Sequence, residues 1–257
     1  MRKDIITNKN SEKIELHCLK KTQLSDLQHK CLIELLTDEE IDRVNGFRTQ
    51  EMQQHALWVR ASLRELLSEY SQRHQIAEVK PVQWQFEKLK YGKPYIINQP
   101  SRSQNIEFNL SHSGDWLLIG ITHRKADNQS FYFGVDIERE RSNTNVMTIA
   151  KRYFSELELE QLEALETEQE KRQRFFDLWT CKESFIKATG KGLATDLKSF
   201  SFDFSKVIKG ESFFEVPLML RKNVTGKCGT WFSAFGRLDD VYRFALSVKP
   251  NFDSCSS

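Results

Sequence analysis

The sequence has no C-x-x-C pair, no apolar run near the length of a membrane span, no extended linker and almost no net charge, and each lack removes a class of protein. Its five cysteines, Cys18, Cys31, Cys181, Cys228 and Cys255, are odd in number and widely scattered. That argues against zinc or redox chemistry and for reduced, mostly structural thiols. No stretch approaches the roughly 20 consecutive apolar residues a bilayer-crossing helix needs. The opening MRKDIITNKNSEKIE carries no apolar signal-peptide core, so a cytoplasmic chain with no membrane partner is expected. A formal net charge of +2 is too small to argue for nucleic acid, and any anion is expected to be held locally.

Core material, by contrast, is plentiful. Hydrophobic residues make up 39% of the 257 positions and aromatics 11%, with 18 phenylalanines, which fits one large globular domain or two compact halves. The spacing predicts a short helix over Ser25 to Leu36 and a second helix beginning at Thr37, with Glu40 in the capping-box position. A long helix is predicted from Gln50 to Ser71, where Leu57, Ala61 and Leu66 approximate an amphipathic repeat. Strands are predicted at Gln83 to Phe86, Glu107 to Leu110, Trp116 to Thr122 and Phe131 to Glu138. Helices are predicted again over Val146 to Glu168 and Glu170 to Thr189, followed by three or four strands between Lys198 and Val248. The polar stretch Arg124 to Ser130 is the best candidate for a boundary. Leu57-Trp58 and Leu178-Trp179 echo one another inside the two long helices.

Chemistry concentrates in a few places. Asp136 and Glu138 stand two apart on one strand, so their side chains share a face with Cα atoms about 7 Å apart. Such a pair is either a strand end turning to solvent or a ligand set for a hard cation such as Mg²⁺, which takes carboxylate oxygens, waters and substrate phosphates. In the predicted helix LWTCKESFIKATGKGL, Leu178, Cys181, Phe185 and Ala188 form one stripe and Trp179, Glu183 and Lys187 a second. Glu183 and Lys187 are then a surface i, i+4 pair, or an acid serving as third ligand or base beside a cation facing phosphate. Trp179 on the same stripe argues against full solvation. Ser111-His112-Ser113-Gly114 reads as a turn whose N–H groups and imidazole could approach an anion, or as a plain polar hairpin. No G-x-S-x-G elbow supports a Ser-His hydrolase there. Lys93, in a Gly-Lys-Pro turn, and Arg43 are further cations whose meaning depends on their surroundings.

In order, YGKPYI, FNLSHSGDW, GVDIE, AKRYFSELE and FFDLWTCKESFIKATGKGL closely resemble the motifs of the 4'-phosphopantetheinyl transferases, in the larger surfactin-synthetase-activating (Sfp) type. The likeness spans about Thr37 to Phe204. It implies an α+β fold of two similar α+β halves related by pseudo-twofold symmetry, with the active site in the cleft between them. The halves are expected at residues 1–127 and 128–250, the second with the metal site, and residues 251–257 form a tail. The resemblance also implies transfer of phosphopantetheine from coenzyme A to a serine of an apo acyl or peptidyl carrier protein, by a monomer, with release of 3',5'-ADP. On this likeness Asp136, Glu138 and Glu183 are Mg²⁺ ligands, Glu183 alternatively the base for the serine, and Lys187 lies near the transferred phosphate. Ser111 and His112 match residues at the coenzyme A phosphates, Lys93 the lysine of the G-K-P turn, and Arg43 a basic residue near the 3'-phosphate. Lys182 belongs to the motif without a defined role. Glu40 stands where the family often has a second basic residue, a departure that touches the nucleotide site and leaves the metal triad intact. Two rival readings keep the same residues: a coenzyme A or carrier-binding module without turnover, and a metal-dependent phosphohydrolase in which water replaces the serine.

Overall fold

The structure, a computed structural model, describes residues 13–125, 131–209, 214–220 and 231–249. In chain order these form β1 (Glu15–Lys20), α1 (Asp26–Ile33), α2 (Asp38–Asn45), α3 (Gln50–Arg73), β2 (Phe86–Lys88), β3 (Pro94–Ile96), β4 (Gln104–Ser113), β5 (Trp116–Lys125) and β6 (Tyr132–Arg139). Three helices follow, α4 (Val146–Tyr153), α5 (Glu156–Glu163) and α6 (Glu168–Thr189). The remaining strands are β7 (Phe200–Phe202), β8 (Ile208–Lys209), β9 (Phe214–Glu215), β10 (Leu218–Leu220), β11 (Phe232–Arg237) and β12 (Tyr242–Lys249). The class is α+β.

Two antiparallel sheets carry the architecture, one ordered β1-β5-β4 and the other β6-β12-β11-β9-β8. Strand alternation sorts their side chains into separate cores. Leu117, Ile119 and Ile121 of β5 pack with Leu63, Leu67 and Tyr70 of α3, whereas Leu118 shares a second core with Leu16, Val135, Ile137 and Phe244 between the sheets. The far side of the five-stranded sheet is covered by α6, through Leu178, Cys181, Phe185 and Ala188, the stripe read from the sequence. Each sheet thus has one long helix on its outer face, and Leu57 and Leu178 of the two Leu-Trp pairs are both buried.

Several expectations need correction. The helix expected over Val146 to Glu168 is two helices, because Ser155 caps α5 in a Ser155/Glu158 capping box while Phe154 is extended. Residues Pro81–Gln83 form a turn of 3-10 helix, with proline at its first position, and only Phe86 enters a strand. Among the described residues, the three or four strands expected in the tail are six, of which β8 and β9 are two residues long. Capping at Thr37 with Glu40 is as read. Cys18 and Cys181 are buried and Cys31 is exposed. Cys228, Cys255, the boundary between residues 127 and 128, and the tail lie outside the described residues.

Candidate functional site

β4 and β6 are the facing edges of the two sheets, and no backbone ladder joins them. Side chains do so instead. Alternate residues of β4 reach β6 in turn: Asn109 Oδ1 accepts from Val135 N at 2.9 Å, Ser111 Oγ donates to Asp136 Oδ1 at 2.8 Å, and Ser113 Oγ accepts from Arg139 N at 3.1 Å. The Ser113 hydroxyl also donates to Glu138 Oε2 at 3.3 Å. A pair of edges that would otherwise expose unpaired backbone is closed by polar side chains, and the acids of GVDIE are held in the closure.

Helix α6 completes the junction. Gly134 lies beneath it, where a Cβ would overlap Ser184 O and Ala188 N, so the glycine of GVDIE allows helix and strand to approach. That approach brings Lys187 Nζ to 2.5 Å from Asp136 Oδ1 and 2.7 Å from Ser111 Oγ. Gly190, at φ +67°, ends the helix in the left-handed conformation, which glycine adopts without steric cost. A cleft of about 330 Å³ opens beside this cluster, lined by Tyr91, Lys93, Asn109, Glu183, Ile186 and Lys187 among others. A second hollow of about 300 Å³ shares Lys93, Pro94 and Gly190 with it and is otherwise largely apolar.

Burial dominates the electrostatics. It pushes the Asp136 carboxyl above its ordinary range, against the downward pull of Lys187 and Ser111. Glu138 is pushed up to about 7 by burial and then by the Asp136 charge. Glu183 is raised by the same two causes, with Lys187 opposing. With the Asp136 charge raising both of the other acids, the group is short of positive charge. Asp136 Oδ2 is buried with no hydrogen-bond partner, and this orphaned oxygen together with two neighbouring carboxyls is in kind the donor set of a hard dication. Among the described residues, no three such side chains stand close enough to enclose a metal ion; the Lys187 ammonium is what neutralises Asp136 as the side chains stand.

The remaining sequence candidates fall in different places. Odd and even residues of β4 face opposite ways, so Ser111 joins Asp136 while His112 is exposed on the α3 side. There its Nδ1 lies 3.3 Å from His55 Nε2. Burial and Lys187 lower the His112 pKa. Lys93 lines both hollows, but its Nζ donates to Phe133 O at 2.9 Å and Ala188 O at 3.4 Å, and burial lowers it to about 8. Arg43 stands apart on exposed α2, 3.7 Å from Glu39 of its own helix. Glu40, the departure from the family pattern, accepts from Arg64 Nε at 2.7 Å. Lys182 turns inward, fully buried, 2.8 Å from Glu158 Oε2 and bonded to the carbonyls of Leu197 and Phe200. Asn109 has no role in the sequence reading, Ser113 only that of a turn residue, although β4 runs on through it, and Gly134 none. Period-two alternation from Ser111 could have drawn in the first two.

The C-terminal part, residues 132–221, matches the model of the 4'-phosphopantetheinyl transferase superfamily, and residues 22–123 match that of the 4'-phosphopantetheinyl transferase N-terminal region. The chain is 34% identical over 172 residues to the 4'-phosphopantetheinyl transferase ffp of Bacillus subtilis, covering 65% of this chain and 70% of that protein. The chain belongs to the 4'-phosphopantetheinyl transferase family. Other members of the family to which it is similar include Sfp of Bacillus subtilis, 38% identical over 132 residues, covering 51% of this chain and 52% of that one. HetI of a Nostoc species is 34% identical over 159 residues, covering 62% and 61%. Against most of the curated relatives it matches, the chain spans only 43% to 61% of the relative's own length. No described helix is long and apolar enough to cross a membrane.

Proposed function

We propose that the chain transfers 4'-phosphopantetheine from coenzyme A to a serine hydroxyl of an apo acyl or peptidyl carrier protein, with Mg²⁺, and releases 3',5'-ADP. The observation that carries this reading is the junction of Asp136, Ser111 and Lys187 beside Glu138 and Glu183, in a member of a family named for that transfer. Asp136 through its orphaned Oδ2 and Glu138, with Glu183 a third ligand where it does not serve as the base, would hold the metal. When bound, it supplies positive charge to the diphosphate and lowers the charge build-up of transfer.

The protein's own groups account for the rest. Lys187, now paired with Asp136, supplies a cation at the site where phosphate charge develops. Ser111 and His112 approach the coenzyme A phosphates, and Lys93 and Arg43 are carried as nucleotide contacts. Glu183, whose carboxyl is raised by burial and Asp136, is a stronger base than an ordinary carboxylate and suited to take a proton. The serine oxygen forms its bond to the β-phosphorus as the bond from that phosphorus to the oxygen of 3',5'-ADP breaks, and the serine proton passes to Glu183. In this reading the protein acts as a monomer in the cytoplasm. A phosphohydrolase would release 3',5'-ADP without any carrier, and a binding module would release none. Measuring 3',5'-ADP with and without apo carrier, in Mg²⁺ and in EDTA, separates the three. Carrier-dependent release that EDTA abolishes is expected, whereas equal release without carrier overturns the transfer reading.

A further inference from the structure

His55, a residue of α3 that none of the sequence motifs contains, faces His112 across the rim of the site. Their Nε2 and Nδ1 atoms stand 3.3 Å apart, and the rings meet edge to face with centroids 4.8 Å apart. His55 is braced from behind by Trp58, at a centroid distance of 5.7 Å. Two imidazole nitrogens at this separation hold one proton between them, since two lone pairs or two N–H groups would repel. The hydrogen bond therefore couples the tautomers of the two rings. Lys21, Glu51 and Asp115 face the pair on the His55 side, and Lys187 and Asp136 on the His112 side.

We propose that His55 is a positioning residue that donates its Nε2–H to His112 Nδ1, fixing the His112 ring and keeping the His112 proton on Nε2 as a hydrogen-bond donor toward a phosphate group. The opposite arrangement would spend the His112 proton on His55 and present a lone pair to an anion. A metal-ligating histidine is oriented by its second nitrogen's partner in the same manner, and here an anion takes the place of the metal. The ligand half of the inference rests on the proposed function, which makes that phosphate part of coenzyme A. The tautomer half does not.

Two measurements keep those halves apart. In long-range ¹H–¹⁵N correlation spectra of the imidazoles, wild-type His112 is expected as the neutral Nε2–H tautomer. His55→Phe, which keeps a ring against Trp58, is expected to give His112 a mixture of tautomers. In binding and kinetics, His55→Phe is expected to weaken 3',5'-ADP binding and raise the KM for coenzyme A about tenfold, the size of one oriented hydrogen bond, with kcat changed far less. His55→Asn, which restores a donor, is expected to recover most of that loss. A wild-type His112 protonated on Nδ1 overturns the proposal, as does an unchanged His112 tautomer in His55→Phe. If the tautomers behave as expected and 3',5'-ADP still binds both forms equally, the positioning stands and the phosphate assignment fails. Absence of transferase activity would bear on the proposed function alone.

Discussion

Lys187 and Asp136 meet at 2.5 Å, the ammonium coming from the last turn of α6 and the carboxylate from the centre of β6. Asp136 is almost fully buried while Lys187 remains partly exposed, so the lysine can rehydrate or turn to another anion more easily than the aspartate can. A buried ion pair is poor evidence of stabilisation, because desolvation offsets much of the attraction. Asp136→Asn is therefore expected to melt at the wild-type temperature or higher in metal-free buffer, yet to lose transfer by at least about 10²-fold. Calorimetry beside single-turnover assays checks both halves. A variant that is strongly destabilised would show that the pair exists for the fold.

Gly134 is the point on which the junction closes. Any Cβ there overlaps backbone atoms of Ser184 and Ala188, and backbone cannot swing aside as a side chain can. Gly134→Ala is expected to cost about 2–4 kcal/mol, in the range of overpacking at a rigid contact. Urea unfolding measures it. A loss below about 0.5 kcal/mol would mean that α6 does not sit this close to β6.

How far the sequence could be read depended on how local each signal was. Strand alternation placed Asp136 and Glu138 on one face, and helical spacing separated the Leu178–Ala188 stripe from Glu183 and Lys187, because both are properties of neighbouring residues. The role of Gly134 was invisible, since what it avoids lies some fifty positions downstream. Lys182 stood in a charged cluster in the sequence, but it is one step of about 100° from Glu183 on the helix, which is enough to turn it into the core. Its partner Glu158 belongs to another helix. The Ser155-x-x-Glu158 box is legible in the sequence, yet the helix expected from Val146 to Glu168 runs straight through it. The closure of β4 on β6 needed knowledge of which strands are edges.

Lys182 and Glu158 offer a test of structural rather than catalytic membership in the motif. Both side chains are fully buried, so Lys182→Met strands the Glu158 carboxylate and is expected to cost about 3–5 kcal/mol. Adding Glu158→Gln, which removes the stranded charge but keeps only one oxygen to accept from Ser155 N or Phe202 N, is expected to restore part of it. Transfer rates per folded molecule should remain within about twofold of wild type at low temperature, as they should for a residue remote from the reacting atoms. Denaturant titrations and rates measured on the same samples decide; a double variant no more stable than Lys182→Met would refute the pairing argument.

Lys93 provides a pH signature. Burial lowers its amine to about 8 from the ordinary lysine value of 10.5, so between those values the unfolded chain binds the proton that the folded chain has released. Stability from this residue therefore rises with pH across that window, and the cost of holding the buried charge is full below it. Lys93→Met is expected to lose that rise, since it has no amine to titrate; it gives up the bonds to Phe133 O and Ala188 O and, below the window, the cost of the buried charge. Urea midpoints across the window for both proteins show it. Parallel curves would mean that the amine titrates alike in both states.

The most direct test of the proposed transfer is the mass of the acceptor. Apo acyl and peptidyl carrier proteins, each incubated with the protein, coenzyme A and Mg²⁺, are weighed intact. The account predicts that at least one gains a single phosphopantetheine group at its serine, that EDTA prevents the gain, and that Asp136→Asn and Glu183→Gln reduce its rate at least about 10²-fold. Unmodified carriers alongside demonstrable coenzyme A binding, or modification that proceeds undiminished in EDTA, would contradict it.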